Sequence, residues 1–357
     1  MTRPYPERPD MTDIQVARRL STRDLRSIAI FVVISFALAW LVASPLWFGD
    51  GIASPMFPVV AVAMMATPTI AALIVVFFVE KPRGKARALG LWPLKPARRL
   101  ITYSILGIFV PILLALVALP IGALLGVYPA DFVNFSGFQE AITAQLQMLG
   151  RNELPMPIVV LVVLQLLTLP LGAFINLIPA LGEELGWRGW LLPKLMPLGA
   201  VPAILISGAI WGLWHAPLIL LGYNYPGVPV WLGQIAMIGT CIVFGAVFGW
   251  LRIRSESVWP SALAHAAFNG AGGTYVLFLM AGEKVNTTQA TILGWSGWIV
   301  PVALVTVLLA TGKFRRPSDR PIFEPSEART RTPQVDTDAM NLARETNGSG
   351  TTATDRH

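Results

Sequence analysis

Between Lys194 and Arg252 the chain carries no Asp, Glu, Lys or Arg. In an ordinary soluble domain about a quarter of residues are charged, so so long a run without one implies a surrounding solvent other than water. The run divides at residues 222–229, where Gly222, Pro226, Gly227 and Pro229 make a turn. Each half then supplies the roughly 20 apolar residues that a helix needs to cross a bilayer. Composition agrees: the 357 residues are 54% hydrophobic and 13% charged, with a mean hydropathy of +0.62. The expectation is an all-α, polytopic integral membrane protein with about eight transmembrane helices, at residues 27–48, 57–79, 101–127, 157–181, 201–221, 230–251, 258–281 and 290–311.

Lys and Arg concentrate in cytoplasmic loops, which gives an independent test of that count. Six arginines lie in the first 26 residues, and Lys81, Arg83, Lys85, Arg87, Lys95, Arg98 and Arg99 follow the second run. Arg188 and Lys194 follow the fourth, Arg252 and Arg254 the sixth, and Lys313, Arg315 and Arg316 the eighth. The alternate loops are poor in basic residues: Asp50 after the first run, Asp131, Glu140, Arg151 and Glu153 after the third, no charge after the fifth, and Glu283 with Lys284 after the seventh. The pattern predicts a multi-pass protein of the cell membrane with both termini cytoplasmic. It divides into a cytoplasmic segment 1–26, N-terminal membrane helices 27–156, a core 157–312 and a tail 313–357, whose Pro, Ser, Thr and charged composition predicts disorder. Residues 132–149 have helical periodicity and few charges, which suits a helix along the outer interface.

Several functional classes fall away. The net charge of +7 resides in the loops, where it orients the chain in the membrane rather than binding nucleic acid. A single cysteine, Cys241, excludes a disulfide framework and a Cys-based zinc site, and its apolar setting reads as a small buried hydrophobe. The first 26 residues mix acids with their arginines, unlike a cleavable signal peptide, so the first apolar run is expected to stay as an anchor.

Ionisable groups cost about 2.5–3.5 kcal/mol each inside hydrocarbon, so those present are functional candidates. Of three histidines, His215 and His265 lie inside apolar runs. Two adjacent glutamates, Glu183 and Glu184, follow the fourth run, with Arg188 four residues after the second. On a helix Glu184 and Arg188 share a face, while Glu183 is turned about 100° away and left for other work. His265 and Asn269 are likewise one turn apart, so an imidazole and an amide can face one cavity.

Elimination narrows the chemistry. A His-Glu-x-x-His zinc motif is absent, and no Asp in any run offers an aspartyl dyad. Ser261 near His265 and Ser207 near His215 lack a nucleophile turn. What remains is a glutamate and a histidine holding a water, with an imidazole and an amide to stabilise an oxyanion: an amide-hydrolysis site.

The segments Glu183-Glu184-Leu-Gly-Trp-Arg188, Trp211-Gly-Leu-Trp-His215 and His265-Ala-Ala-Phe-Asn269 resemble the three signature motifs of the CPBP intramembrane proteases, the family that includes type II CAAX prenyl endopeptidases and Abi proteins. The resemblance extends over roughly residues 157–270. It departs at Trp211, where the family usually has Phe. It implies that Glu183 acts as general base on a water shared with His215, that His265 and Asn269 form the oxyanion pocket, and that Glu184 and Arg188 are positioning residues. No cofactor is favoured, although Glu183, Glu184, His215 and His265 could in principle ligate zinc or another divalent ion. The expected activity is hydrolysis of a peptide bond near the cytoplasmic leaflet, with membrane lipids and a membrane-associated peptide or protein as partners. The rival readings are a proton- or cation-coupled transporter using the same buried groups, and a non-catalytic scaffold.

Overall fold

The computed structural model describes residues 20–315 and 317, Asn152 excepted. The expected tail, apart from its first residues, and most of the segment 1–26 therefore lie outside the described residues. The chain is all-α and polytopic, and among the described residues the only β pairing is one isolated bridge, Ala130 with Leu279. In chain order the main helices are α1 (Thr22–Trp47), α2 (Phe57–Met65), α3 (Thr67–Ile74), α4 (Ala97–Leu124), α5 (Ser136–Met148), α6 (Ile158–Ile175), α7 (Leu177–Glu184), α8 (Ala200–Trp214), α9 (Val230–Ser255), α10 (Trp259–Ala271) and α11 (Ile299–Ala310).

Five stretches are long and apolar enough to cross a membrane: Thr22–Trp47, Phe57–Glu80, Ala97–Leu124, Ile158–Ile175 and Val230–Ser255. The other three expected runs form shorter helices, and proline and glycine account for two of them. Pro217 cannot donate to the carbonyl of Leu213, so α8 stops at Trp214 and His215 sits at its C-terminal end. α10 ends at Ala271 within the sequence Gly270-Ala-Gly-Gly273, where a helix interior is costly. The last run is a 3-10 turn at Trp295–Trp298 followed by α11. Within the fourth run, Pro179 cannot donate to the carbonyl of Ile175, and the helix breaks at Asn176 between α6 and α7.

Burial is arranged for a lipid solvent. Val33, Leu41, Phe78, Leu167, Ile175 and Ile178 are exposed on the outside of the bundle, while Glu183, Glu184, Arg188 and His265 are buried within it. Helices in lipid gain little from hiding apolar surface from one another, so they associate by close backbone packing. Gly208 and Gly212, one turn apart on α8, meet α9 in this way. A Cβ on either would lie 2.6 or 2.5 Å from the Cα of Ile242 or Ile238. At the centre, α10 packs on α4, α6, α7 and α9, which makes it the element around which the site is built.

The loops sort into two groups. In one, the Trp47 indole donates to the Pro217 carbonyl at 2.9 Å, Thr287 donates to the Asn224 carbonyl at 2.6 Å, and the Asp131 amide donates to the Phe278 carbonyl at 2.7 Å. These join the loops after the first, third, fifth and seventh runs. In the other group, Lys194 bridges Asp24 and Glu80, at 2.9 Å each, Arg99 pairs with Glu256 at 2.6 Å, and Arg254 donates to the Arg315 carbonyl at 3.2 Å. These join the N-terminal end of α1 to the loops after the even-numbered runs. The segment 132–149 does form a helix, α5. At the start of its loop the Asp131 carboxylate bonds to the Ser136 hydroxyl and to the amides of Asn134, Val133 and Ser136, which hold its pKa down to about 2.

Candidate active site

The two glutamates close α7, and immediately after them the helix widens into a π turn at Leu185–Leu191. Such turns occur often at functional sites, because the extra residue re-aims side chains that a regular helix would distribute evenly. The expected pair forms: Nη1 of Arg188 donates to Oε1 of Glu184 at 2.7 Å, with the side chains 3% and 0% exposed. Arg188 is held from three sides. Its carbonyl accepts from Nε of Arg252 at 3.0 Å, and its guanidinium lies over the Trp211 ring, 4.0 Å from the centroid. Gly245 on α9 leaves the space, since a Cβ there would fall 2.8 Å from Nη2 of Arg188.

His265, from the middle of α10, joins the same carboxylate: its Nδ1 lies 2.9 Å from Oε1 of Glu184. Its ring stacks on Phe248 at 5.6 Å and meets the edge of Trp211 at 5.3 Å. With Nδ1 committed to Glu184, Nε2 points from the opposite side of the ring, and in the imidazolium form it is a donor for an oxyanion. Asn269 follows one turn later on α10, as expected, but it is exposed and bonds to none of the other site residues. Its amide thus lies outside the buried cluster.

Glu183 takes a different environment. Its Oε2 accepts from the indole N–H of Trp211 at 2.7 Å and from that of Trp187 at 3.3 Å. No donor from the described residues reaches its Oε1. His215, at the end of α8, has Nδ1 2.8 Å from the Trp211 carbonyl. A carbonyl only accepts, so the proton is on Nδ1 and Nε2 of the neutral ring carries the lone pair. That tautomer suits an acceptor for a water proton.

The nucleophiles considered from sequence are occupied. Ser261 donates to the Phe248 carbonyl at 2.8 Å and Ser207 to the Ile204 carbonyl at 3.3 Å. Cys241 is buried with its Sγ 3.8 Å from Nδ1 of His215, but that nitrogen is already a donor and cannot take the thiol proton. Arg188 and His265 share Oε1 of Glu184, two indoles share Oε2 of Glu183, and among the described residues no three His, Cys, Asp or Glu side chains are grouped as metal ligands.

Residues 165–271 match the family model described as type II CAAX prenyl endopeptidase Rce1-like. The resemblance read from the three motifs is thereby borne out, for all three lie within the matched stretch. A curated relative, CAAX prenyl protease 2 of Methanococcus maripaludis, is 26% identical over 141 residues, covering 38% of this chain and 48% of the relative. The chain thus spans about half the length of that relative.

Sequence reasoning missed two residues of the matched segment. Trp211 was read only as an aromatic in place of Phe, and Trp187 was not singled out. The signal was available for Trp187: an indole N–H buried in an apolar bundle needs an acceptor, and Glu183 lies four residues before it.

Proposed function

We propose that the chain is an integral-membrane endopeptidase, similar to CAAX prenyl proteases, that hydrolyses a peptide bond by means of an activated water. Glu183 serves as general base on the water, which His215 shares through Nε2. The carbonyl oxygen of the scissile bond becomes an oxyanion held by Nε2–H of His265 and by the amide of Asn269, which comes into place with the substrate. Glu184 and Arg188 act on the reaction by fixing His265. The expelled amine takes a proton from Glu183, which returns the site to its starting state. No metal takes part in this scheme. The substrate is a membrane-associated peptide or protein cut near the cytoplasmic leaflet, and the Lys- and Arg-rich loop group, with both termini, faces the cytoplasm.

The observation that carries the reading is the convergence, inside an apolar bundle, of residues far apart in sequence. Glu184 and His265 share one hydrogen bond, and Glu183 and His215 are both tied to Trp211. A cluster of buried ionisable groups costs too much in lipid to be kept for packing alone. The Rce1-like match over the same residues favours proteolysis over ion coupling. The test is cleavage of a farnesylated peptide ending in a CAAX sequence by the purified protein in lipid nanodiscs, with Glu183→Gln as control. Cleavage lost in the variant supports the reading. Absence of cleavage by the wild-type protein, together with ion flux in liposomes of the same lipid, would favour the transporter instead.

A further inference from the structure

Trp211 touches four residues of the buried cluster. Its N–H donates to Glu183 at 2.7 Å, its carbonyl accepts from His215 at 2.8 Å, its face lies 4.0 Å from the Arg188 guanidinium, and His265 meets its ring edge-on. It is 3% exposed. A glutamate side chain has three rotatable bonds, and a carboxylate in a cavity can turn either oxygen toward a reactant. Here both indole donors, Trp211 from α8 and Trp187 from the π turn, fall on the same oxygen. Oε2 is held by two rigid rings from two different elements, and Oε1 receives no donor from the described residues.

We propose that Trp211, supported by Trp187, is a positioning residue that pins Oε2 of Glu183 and so makes Oε1 the atom that accepts the proton of the attacking water. The proposal rests on the reading of Glu183 as general base. Its physical content is orientation: with one carboxylate oxygen held by its donors through the reaction, the reacting atoms need not be sorted at the moment of transfer. The same residue holds His215 through its backbone carbonyl, which survives any change of side chain. Replacing the Trp211 side chain therefore separates the two functions.

The experiment uses full-length protein in nanodiscs with 15N-labelled indoles, the Trp211 and Trp187 N–H signals being assigned from Trp211→Phe and Trp187→Phe. In Glu183→Ala the Trp211 signal is expected to move upfield by more than its linewidth, while the Trp190 signal, whose N–H faces Glu80, stays in place. An unmoved Trp211 signal overturns the proposal whether or not the protein is a protease. Kinetics with the farnesylated peptide form the second arm. Trp211→Phe keeps a ring but removes the N–H, and kcat is expected to fall roughly 10- to 100-fold, the range of a lost hydrogen bond to a charged group, with KM nearly unchanged. Trp187→Phe, which removes the longer bond, should lower kcat less and covers the case in which the Trp211 variant fails to fold. Unchanged kcat in a folded Trp211→Phe protein would overturn the positioning role. No cleavage by the wild-type protein would instead count against the endopeptidase reading, leaving the spectroscopic arm to decide whether Trp211 holds Glu183.

Discussion

Nδ1 of His265 and Nη1 of Arg188 meet the same oxygen of Glu184, at 2.9 and 2.7 Å. The other oxygen, Oε2, is buried with no hydrogen-bond partner among the described residues. One carboxylate oxygen thus fixes both a guanidinium from its own helix and an imidazole from the central helix, whereas the neighbouring carboxylate, Glu183, is held only by neutral indoles. Adjacent residues of one type thus have different surroundings.

That division predicts unlike consequences for two similar substitutions. Glu183→Gln is nearly isosteric and can still accept from the indoles, so the protein should insert and fold but lose turnover. Glu184→Gln removes the charge that Arg188 and His265 share in a buried site, a change expected to cost on the order of 3 kcal/mol along with activity. Cleavage rates and thermal unfolding of both variants in detergent check this. Near-normal turnover in Glu183→Gln would reject it as the base, and a reversed pattern would exchange the two roles.

The close approach of α8 to α9 gives a prediction about packing. Gly212→Val places its new atoms against the Ile238 backbone, where even a Cβ would lie 2.5 Å from Cα. Backbone cannot yield as a flexible side chain can, so α8 must move, carrying Trp211 and His215 with it. Destabilisation of about 1–3 kcal/mol, the usual cost of overpacking, should come with lost activity. A Gly212→Val protein with wild-type melting temperature would show that the two helices do not pack so closely.

Activity should survive a strong zinc chelator, because Glu183 and His215 can hold a water by hydrogen bonds alone. Dialysis against the chelator, followed by the peptide assay, measures this. Inactivation reversed only by a stoichiometric divalent cation would promote the four-residue zinc arrangement, and with it a rearranged Glu184.

For orientation, reporter fusions within residues 222–229 and within 131–153 should both report the outer side, and fusions within 81–99 the cytoplasm. The contacts that join these loops into two groups require the first two sites to agree with each other. A split result would contradict the fold as well as the charge pattern, while a joint reversal would invert the protein and move the opening of the site to the outer leaflet.

The sequence by itself determined the solvent and the local geometry. An uncharged run from Leu195 to Leu251 admits only a bilayer, and the spacing of Glu184 and Arg188 makes them neighbours on any helix, which is how they are found. Fixed helical periodicity makes such local relations legible. Proline and glycine positions also mark where helices stop, yet the expected lengths of the runs at 201–221 and 258–281 exceeded α8 and α10, because apolar content reports the solvent and not the continuity of backbone bonds. Only the tertiary structure decided which glutamate would face His265, that Asn269 would remain exposed, and that the Trp211 indole would hold Glu183. Those relations cross between helices. They depend on how closely α7, α8, α9 and α10 approach and at what rotation, which is set by glycine contacts and a π turn acting together over residues that no single periodicity connects.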